Sequence, residues 1–528
     1  MYHALENDDI IYNILQHVKS STDLVNVAMT CSTLSDPALN MLWCEQSSLG
    51  RLIMCLPQDT WEVAPDGTIV FSREPSLTEW ERVKINASRI RRLVFNSNQS
   101  PGNAPPIPSG PVLKQLFALF PPALLFPNLI ALHFNAVSLE FRSDFALLRQ
   151  FFLPGLETLA FDVPVDVPTS EVEQFVGALS AEAPGLRQLS ITVDPNISAC
   201  HFELPKLPKL NQLSILGSDL GLMWQNIPNI LHSHFLQSLS LSVHENFEVE
   251  NASARTPLDF TALKHLSLSG NCLQDCTTFL LQVVTPQLSA IEIAYRTAAI
   301  PAEITAVIDS LTASCGTFES LEKISIVDNS PREPEWPETT TQLHSRVFRP
   351  LFKFRKLSTV IFSDIGKYSL DDYFIEDVAV AWPGLRELRF ASERPEPCNI
   401  TQSGVLSLVF KCRSLRTLQL TFDATRFMLL PYKPGPGKPC TQTSLHELHL
   451  GHSTVTPAYR FFMAIVLLFP NLCHVTRYDS MLELNDREDW SRAQRRWKTL
   501  VHHPLILRHR KPKEALRNTL WLHGLWMC

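Results

Sequence analysis

The residues of this sequence that could do chemistry are few and poorly assembled. His446-Glu447-Leu448-His449 offers two imidazoles and a carboxylate, the donor types of a zinc hydrolase. On a helix such a pair needs i, i+4 spacing. Here the two His are three apart, in a stretch that reads as strand, where neighbouring side chains alternate faces, so shared metal ligation is not expected. Gly435-Pro436-Gly437-Lys438 has the glycines and lysine of a phosphate loop but is too short and too proline-rich to cradle one. The paired carboxylates Asp371-Asp372 read as a helix cap or a loop. Of 12 cysteines none forms a C-x-x-C pair; Cys272 and Cys276 lie closest, with no second pair at zinc-ligand spacing. Free, buried thiols in a reducing compartment follow. No catalytic centre, metal or cofactor is expected, and the chain reads as a non-enzymatic protein.

What does recur is a pattern for strands. Leu129-Ile-Ala-Leu132-His-Phe134 is followed by Leu156–Phe161, Leu186–Ile191, Leu210–Ile215, Leu236–Leu241 and Leu263–Leu268. Leu288–Ile293, Leu321–Ile326, Leu357–Phe362, Leu385–Phe390, Leu415–Leu420, Leu445–Leu450 and a degenerate copy from Leu472 continue it. The intervals, about 24 to about 36 residues, are those of a stretched leucine-rich repeat. Within each copy the alternating apolar residues point to one face of a strand, and the intervening chain crosses back as a helix, as in Glu171–Ser180 and Val405–Lys411. Pro-Gly before Leu186 and Leu385 ends the helix and turns the chain. The expected fold is therefore α/β: a short N-terminal helical bundle followed by an irregular leucine-rich-repeat solenoid, with a parallel sheet on the concave face and helices on the convex face.

Residues between the buried positions should face solvent on the sheet. They pass from His133, Gln188, Ser190 and Gln212 to the charged set Glu387, Arg389, Glu447 and His449, the expected contacts for a target protein of unknown identity. Proline-rich stretches at 101–111, 330–337 and 431–439 read as stiff breaks in the array. A net charge of -7 over 528 residues argues against a nucleic-acid binder, although residues 486–528 form a basic cap or tail. The longest clean apolar run, 461–469, is too short to span a membrane, and the N-terminus lacks a secretory pattern. An intracellular protein of the cytoplasm or nucleus, with no membrane partner, is expected.

The first residues form a separate pattern. Ile10, Ile11, Ile14, Leu15 and Val18 stripe one helix, Leu24, Val27 and Ala28 a second, and Asp36-Pro37 reads as the cap and first turn of a third through Leu39, Leu42 and Trp43. Leu5, Asp9-Ile10-Ile11, Ile14-Leu15, Val18, Leu24, Val27-Ala28-Met29-Thr30-Cys31, Leu34, Pro37-Ala38-Leu39 and Leu42-Trp43 together resemble an F-box. The Pro-Ala-Leu-x-x-Leu-Trp turn, with Leu49, Leu52 and Cys55-Leu56-Pro57, narrows the resemblance to the fungal, basidiomycete-type F-box family. Leu5-Glu6-Asn7-Asp8-Asp9 stands where that family opens Leu-Pro-x-Glu. The resemblance covers residues 1–57, leaving 58–485 to the repeats. It implies a substrate-recognition adaptor of a cullin–RING (SCF-type) ubiquitin ligase, docking a Skp-type adaptor through Leu5, Ile10, Ile11, Ile14, Leu15, Pro37, Leu42 and Trp43. The alternative is a repeat scaffold attached to no ligase.

Overall fold

The computed structural model describes residues 7–18, 20–95, 106–134, 145–163, 167–193, 204–217, 235–243, 258–315, 318–331, 342–392, 399–425, 441–455, 461, 464–465 and 468–478. Leu5, the stretch 431–439 and the tail 486–528 lie outside them. The chain divides into two compact units, Met1–Ser242 and Val243–Cys528, so the division falls within the repeats. No helix of the described residues is long and apolar enough to cross a membrane.

The first unit opens on three helices, α1 (Asp8–Leu15), α2 (Ser21–Ala28) and α3 (Ser32–Cys44). Asn7 caps α1 by accepting from Asp9 N at 2.9 Å, and Ser20 caps α2 by accepting from Asp23 N at 3.3 Å. Helix α3 starts at Ser32, one turn before the Asp36-Pro37 start expected from sequence, and carries Pro37 inside it. Asp36 is occupied otherwise: its carboxylate receives the Arg89 guanidinium at 2.6 Å, and the same guanidinium donates to Asn40. Ile11, Leu15, Leu24 and Ala38 form the bundle core, with Val18, Val27, Leu34, Met41 and Leu42 packed around it. The end of α3 runs straight into the strand Glu45–Gln46, which pairs in parallel with Arg92–Phe95. The sheet thus begins at residue 45, inside the stretch that resembles an F-box.

From there each motif copy in the first unit becomes the next parallel strand: Ala131–Phe134, Thr158–Val163, Gln188–Val193, Gln212–Leu216 and Ser238–Val243. Arg92–Phe95 is itself a copy, Ile90-x-x-Leu93-x-Phe95, ahead of the one at Leu129. A small sheet precedes it, with Trp61–Val63 antiparallel to Thr68–Phe71 and the latter parallel to Ile107–Pro108. The helix expected over 171–180 runs Thr169–Glu182, and its Phe175 ring lies 5.1 Å from Phe161 and 6.3 Å from Phe134 on the buried side of the sheet.

The second unit repeats the arrangement through His265–Gly270, Ala290–Tyr295, Lys323–Asp328, Thr359–Ser363, Glu387–Ala391, Thr417–Gln419, Glu447–His449 and His474–Thr476, all parallel. In both units one carbonyl per copy fixes the register. Ile130 O accepts from Glu157 N and Thr158 N, both at 2.9 Å; Arg386 O accepts from Arg416 N at 2.7 Å and Thr417 N at 3.1 Å. The second residue of the motif is therefore locked opposite its counterpart in the next repeat.

One buried side chain serves several main-chain groups of the later repeats. Gln442, 1% exposed, donates from Nε2 to Cys412 O at 3.2 Å and Leu415 O at 3.1 Å, and accepts through Oε1 from Leu445 N at 3.0 Å. Gln442→Leu takes away the amide that serves Leu415 O and Leu445 N, while Cys412 O still accepts from Leu415 N at 3.3 Å, and an orphaned buried group costs about 1–3 kcal/mol. Urea unfolding of the second unit should show a loss in that range. A loss below ~0.5 kcal/mol would mean that water replaces the amide.

Candidate functional site

Two surfaces gather the residues singled out from the sequence. The first is on the N-terminal helices. Ile11 and Leu15 of α1 are 1% and 3% exposed and face the bundle core, whereas Ile10 and Ile14, one turn apart on another side, are 39% and 51% exposed. Trp43 is buried, and Pro37 and Leu42 are half-buried. Of the eight residues expected to dock a partner, those in the core hold the bundle together, and Ile10 and Ile14 are left on the surface. Sequence reasoning missed two more: Val25 and Met29 of the α2 end are exposed, again four apart. Their i, i+4 spacing is the sequence signal for a shared helix face.

The second surface is the open face of the second unit's sheet, opposite the buried alternate residues. Strand register sets Glu387, Thr417 and Glu447 in one row and Arg389, Gln419 and His449 in the next. The four charged or titratable residues expected to meet a target thus lie on two strands that flank a third, Thr417–Gln419. Arg389 Nε donates to Glu387 Oε1 at 2.5 Å, and Thr417 Oγ1 donates to Glu447 Oε2 at 3.4 Å. The chain beyond the last strand turns back over this face. Tyr478 N donates to Gly451 O at 3.0 Å, Gln419 Nε2 reaches Tyr478 Oη at 3.1 Å, and the Tyr478 ring lies 4.6 Å from His449. Gln419, expected to face solvent, is therefore buried. Gly451 adopts φ +54, a left-handed conformation that costs glycine little, and from there its N–H donates to His449 Nδ1 at 3.1 Å.

That bond needs Nδ1 unprotonated. Burial, then the nearby Arg389 and His452, hold the His449 imidazole below its ordinary 6.5. A depressed folded value means the native state binds fewer protons than the unfolded chain. Stability from this site is complete above pH 6.5 and falls as pH drops below it toward the folded value. Replacing His449 with Gln should flatten the slope of unfolding free energy with pH in that window. An unchanged slope would place the titration elsewhere.

His446, the other imidazole of the zinc-like motif, is exposed and turns Nδ1 to Ser444 O. The two rings have separate partners. Among the described residues no group of three or more His, Cys, Asp or Glu is placed to hold a metal ion. Burial pushes the Cys276 and Cys412 thiols up to about 12, so they are poor nucleophiles. Asp371 caps the helix Asp372–Ala381 by accepting from Phe374 N at 2.9 Å. Asp372 accepts from Thr401 N at 2.8 Å and Gly404 N at 3.0 Å, at the start of the helix Gln402–Lys411. The open face presents the Arg389–Glu387 ion pair beside the exposed Glu447 and the half-buried His449.

Fold and surfaces together define an α/β repeat protein with a parallel sheet and an N-terminal helical module. No family model matches the chain, and no curated protein matches it. Among solved structures, it is distantly similar to the crystal structure of the Rad7 and Elc1 complex in yeast, with a TM-score of 0.37 and 14% identity over 75% of this chain and 79% of that one.

Proposed function

We propose that the chain is a substrate-recognition adaptor of a cullin–RING ubiquitin ligase: the N-terminal helices dock a Skp-type adaptor, and the leucine-rich repeats hold a target protein. The observation that carries this reading is the split of α1 into a buried stripe, Ile11 and Leu15, and an exposed apolar stripe, Ile10 and Ile14. Three short helices already short of core do not leave such side chains in water without cost, and an apolar helix face of this kind fits a partner's groove. Supporting it, α3 continues directly into the first sheet strand, so a docked adaptor would sit at a fixed orientation to the first repeats. The role is positional: the target is held near the charged enzyme, raising its effective concentration there. Titration of a purified Skp-type adaptor into the full chain tests the reading. Saturable 1:1 binding supports it. No binding leaves a repeat scaffold outside any ligase.

A further inference from the structure

The carbonyl relay that sets strand register also sets side chains in columns. At the second position of each motif, Arg386, Arg416 and His446 occupy equivalent places on three successive strands, each carbonyl accepting from the next repeat. Parallel neighbours are about 4.8 Å apart. All three side chains are exposed at the edge where the chain enters the strands, and Arg355 and Lys356, at the entry to the repeat before, are exposed too. Neither Arg386 nor Arg416 meets a carboxylate among the described residues. The first unit shows how the same column is otherwise balanced: Arg187 follows Glu157 on the neighbouring strand and pairs with it at 3.7 Å. Like charges set side by side on adjacent strands work against folding. An edge that keeps two arginines there is matched to an anion from outside the described fold.

We propose that this strand-entry edge of the second unit is a docking site for an acidic peptide segment, its Asp and Glu carboxylates held by Arg386 and Arg416 with His446 beside them. Guanidinium forks take carboxylates in two parallel hydrogen bonds, and two forks one strand apart fit acids carried close together on an extended chain. A nucleic acid fits less well. Glu387 and Glu447 stand one residue further along the same strands as Arg386 and His446, where an unbroken polyanion would meet them; a peptide can place neutral residues there. The proposal deepens the reading of the repeats as a target-holding surface and is independent of adaptor docking.

The test is fluorescence anisotropy of the full chain with a dye-labelled peptide that alternates Glu and Asp with Gly and Ser. Companion probes are its Gln/Asn counterpart, a phosphoserine version and a single-stranded oligonucleotide. The acidic peptide should bind, and more weakly as salt rises. Arg386→Glu with Arg416→Glu should lower affinity by about tenfold or more, and Arg386→Gln with Arg416→Gln by less. A control pair, Lys206→Glu with Lys209→Glu, makes the same change in net charge at exposed lysines of the first unit and should leave affinity within about twofold. Circular dichroism confirms that each variant folds. Equal weakening by the control pair, or no weakening by the arginine pair, overturns the assignment. So does a Gln/Asn peptide that binds equally well. Binding of the phosphoserine version alone overturns the carboxylate assignment, and tighter binding of the oligonucleotide overturns the peptide.

Discussion

Phe390→Ala is expected to remove about 3–5 kcal/mol from the second unit, enough to shift its folding equilibrium by about two to nearly four orders of magnitude. The Phe390 ring is 2% exposed and stands among four others: Phe348 at 5.2 Å, Phe362 at 5.4 Å, Tyr368 at 5.4 Å and Phe374 at 6.0 Å. Those rings come from different places in the chain. Phe362 and Phe390 sit on neighbouring strands in register, Phe374 on the helix Asp372–Ala381, and Phe348 on the turn before a short helical stretch. The deletion thus strips one layer of sheet-to-helix packing at the junction of two repeats. Because repeats are stabilised largely by their neighbours, the loss should also blunt the cooperativity of unfolding. Chemical denaturation with fluorescence at two wavelengths measures both. Phe390→Leu, which keeps most of the volume, should cost about 1–2 kcal/mol. A cost below ~1 kcal/mol for the alanine variant would mean that the ring cluster collapses around the gap.

The repeats were legible because burial of a strand face leaves a rule of two in the sequence. Leu129, Leu132 and Phe134 are 1%, 0% and 6% exposed, and the alternation of buried and half-buried residues holds along Thr158–Val163, Gln188–Val193 and Ser238–Val243. The outward positions followed from the same rule, so Glu387, Arg389, Glu447 and His449 fall together on one face. Gln419 departs from it because Tyr478, 59 residues further on, covers its amide, and a contact so distant leaves no periodic trace. The strand Glu45–Gln46 was not legible for another reason: two residues with no apolar alternation are recruited by pairing with Arg92–Phe95. The hairpin of Trp61–Val63 and Thr68–Phe71 did carry a sign, Asp66-Gly67, where Gly67 takes φ +83 and the Asp66 carboxylate accepts from Thr68 N at 2.9 Å.

Helix α1 is where the sequence is most ambiguous and the largest functional effect is expected. Apolar residues at i, i+1, i+4, i+5 and i+8 make two adjacent stripes, and one small bundle can bury only one of them. Tertiary packing chose Ile11 and Leu15, which leaves Ile10 and Ile14 as the pair available to a partner. If the N-terminal helices dock a Skp-type adaptor, this exposed pair is the anchor, and truncated anchors typically cost about 2 kcal/mol or more each. A carboxylate at either position adds the cost of desolvating a charge in an apolar groove. Ile10→Asp with Ile14→Asp should therefore weaken adaptor binding at least about a hundredfold in titration calorimetry, while the melting of the chain changes much less than for a core residue because both side chains lie outside the bundle core. Ile11→Asp should act in the opposite order, unfolding the bundle core first and losing the adaptor as a consequence. Equal adaptor affinity for the unaltered chain and the Ile10, Ile14 variant would move the docking face to another part of the bundle, with Val25 and Met29 the next surface to change.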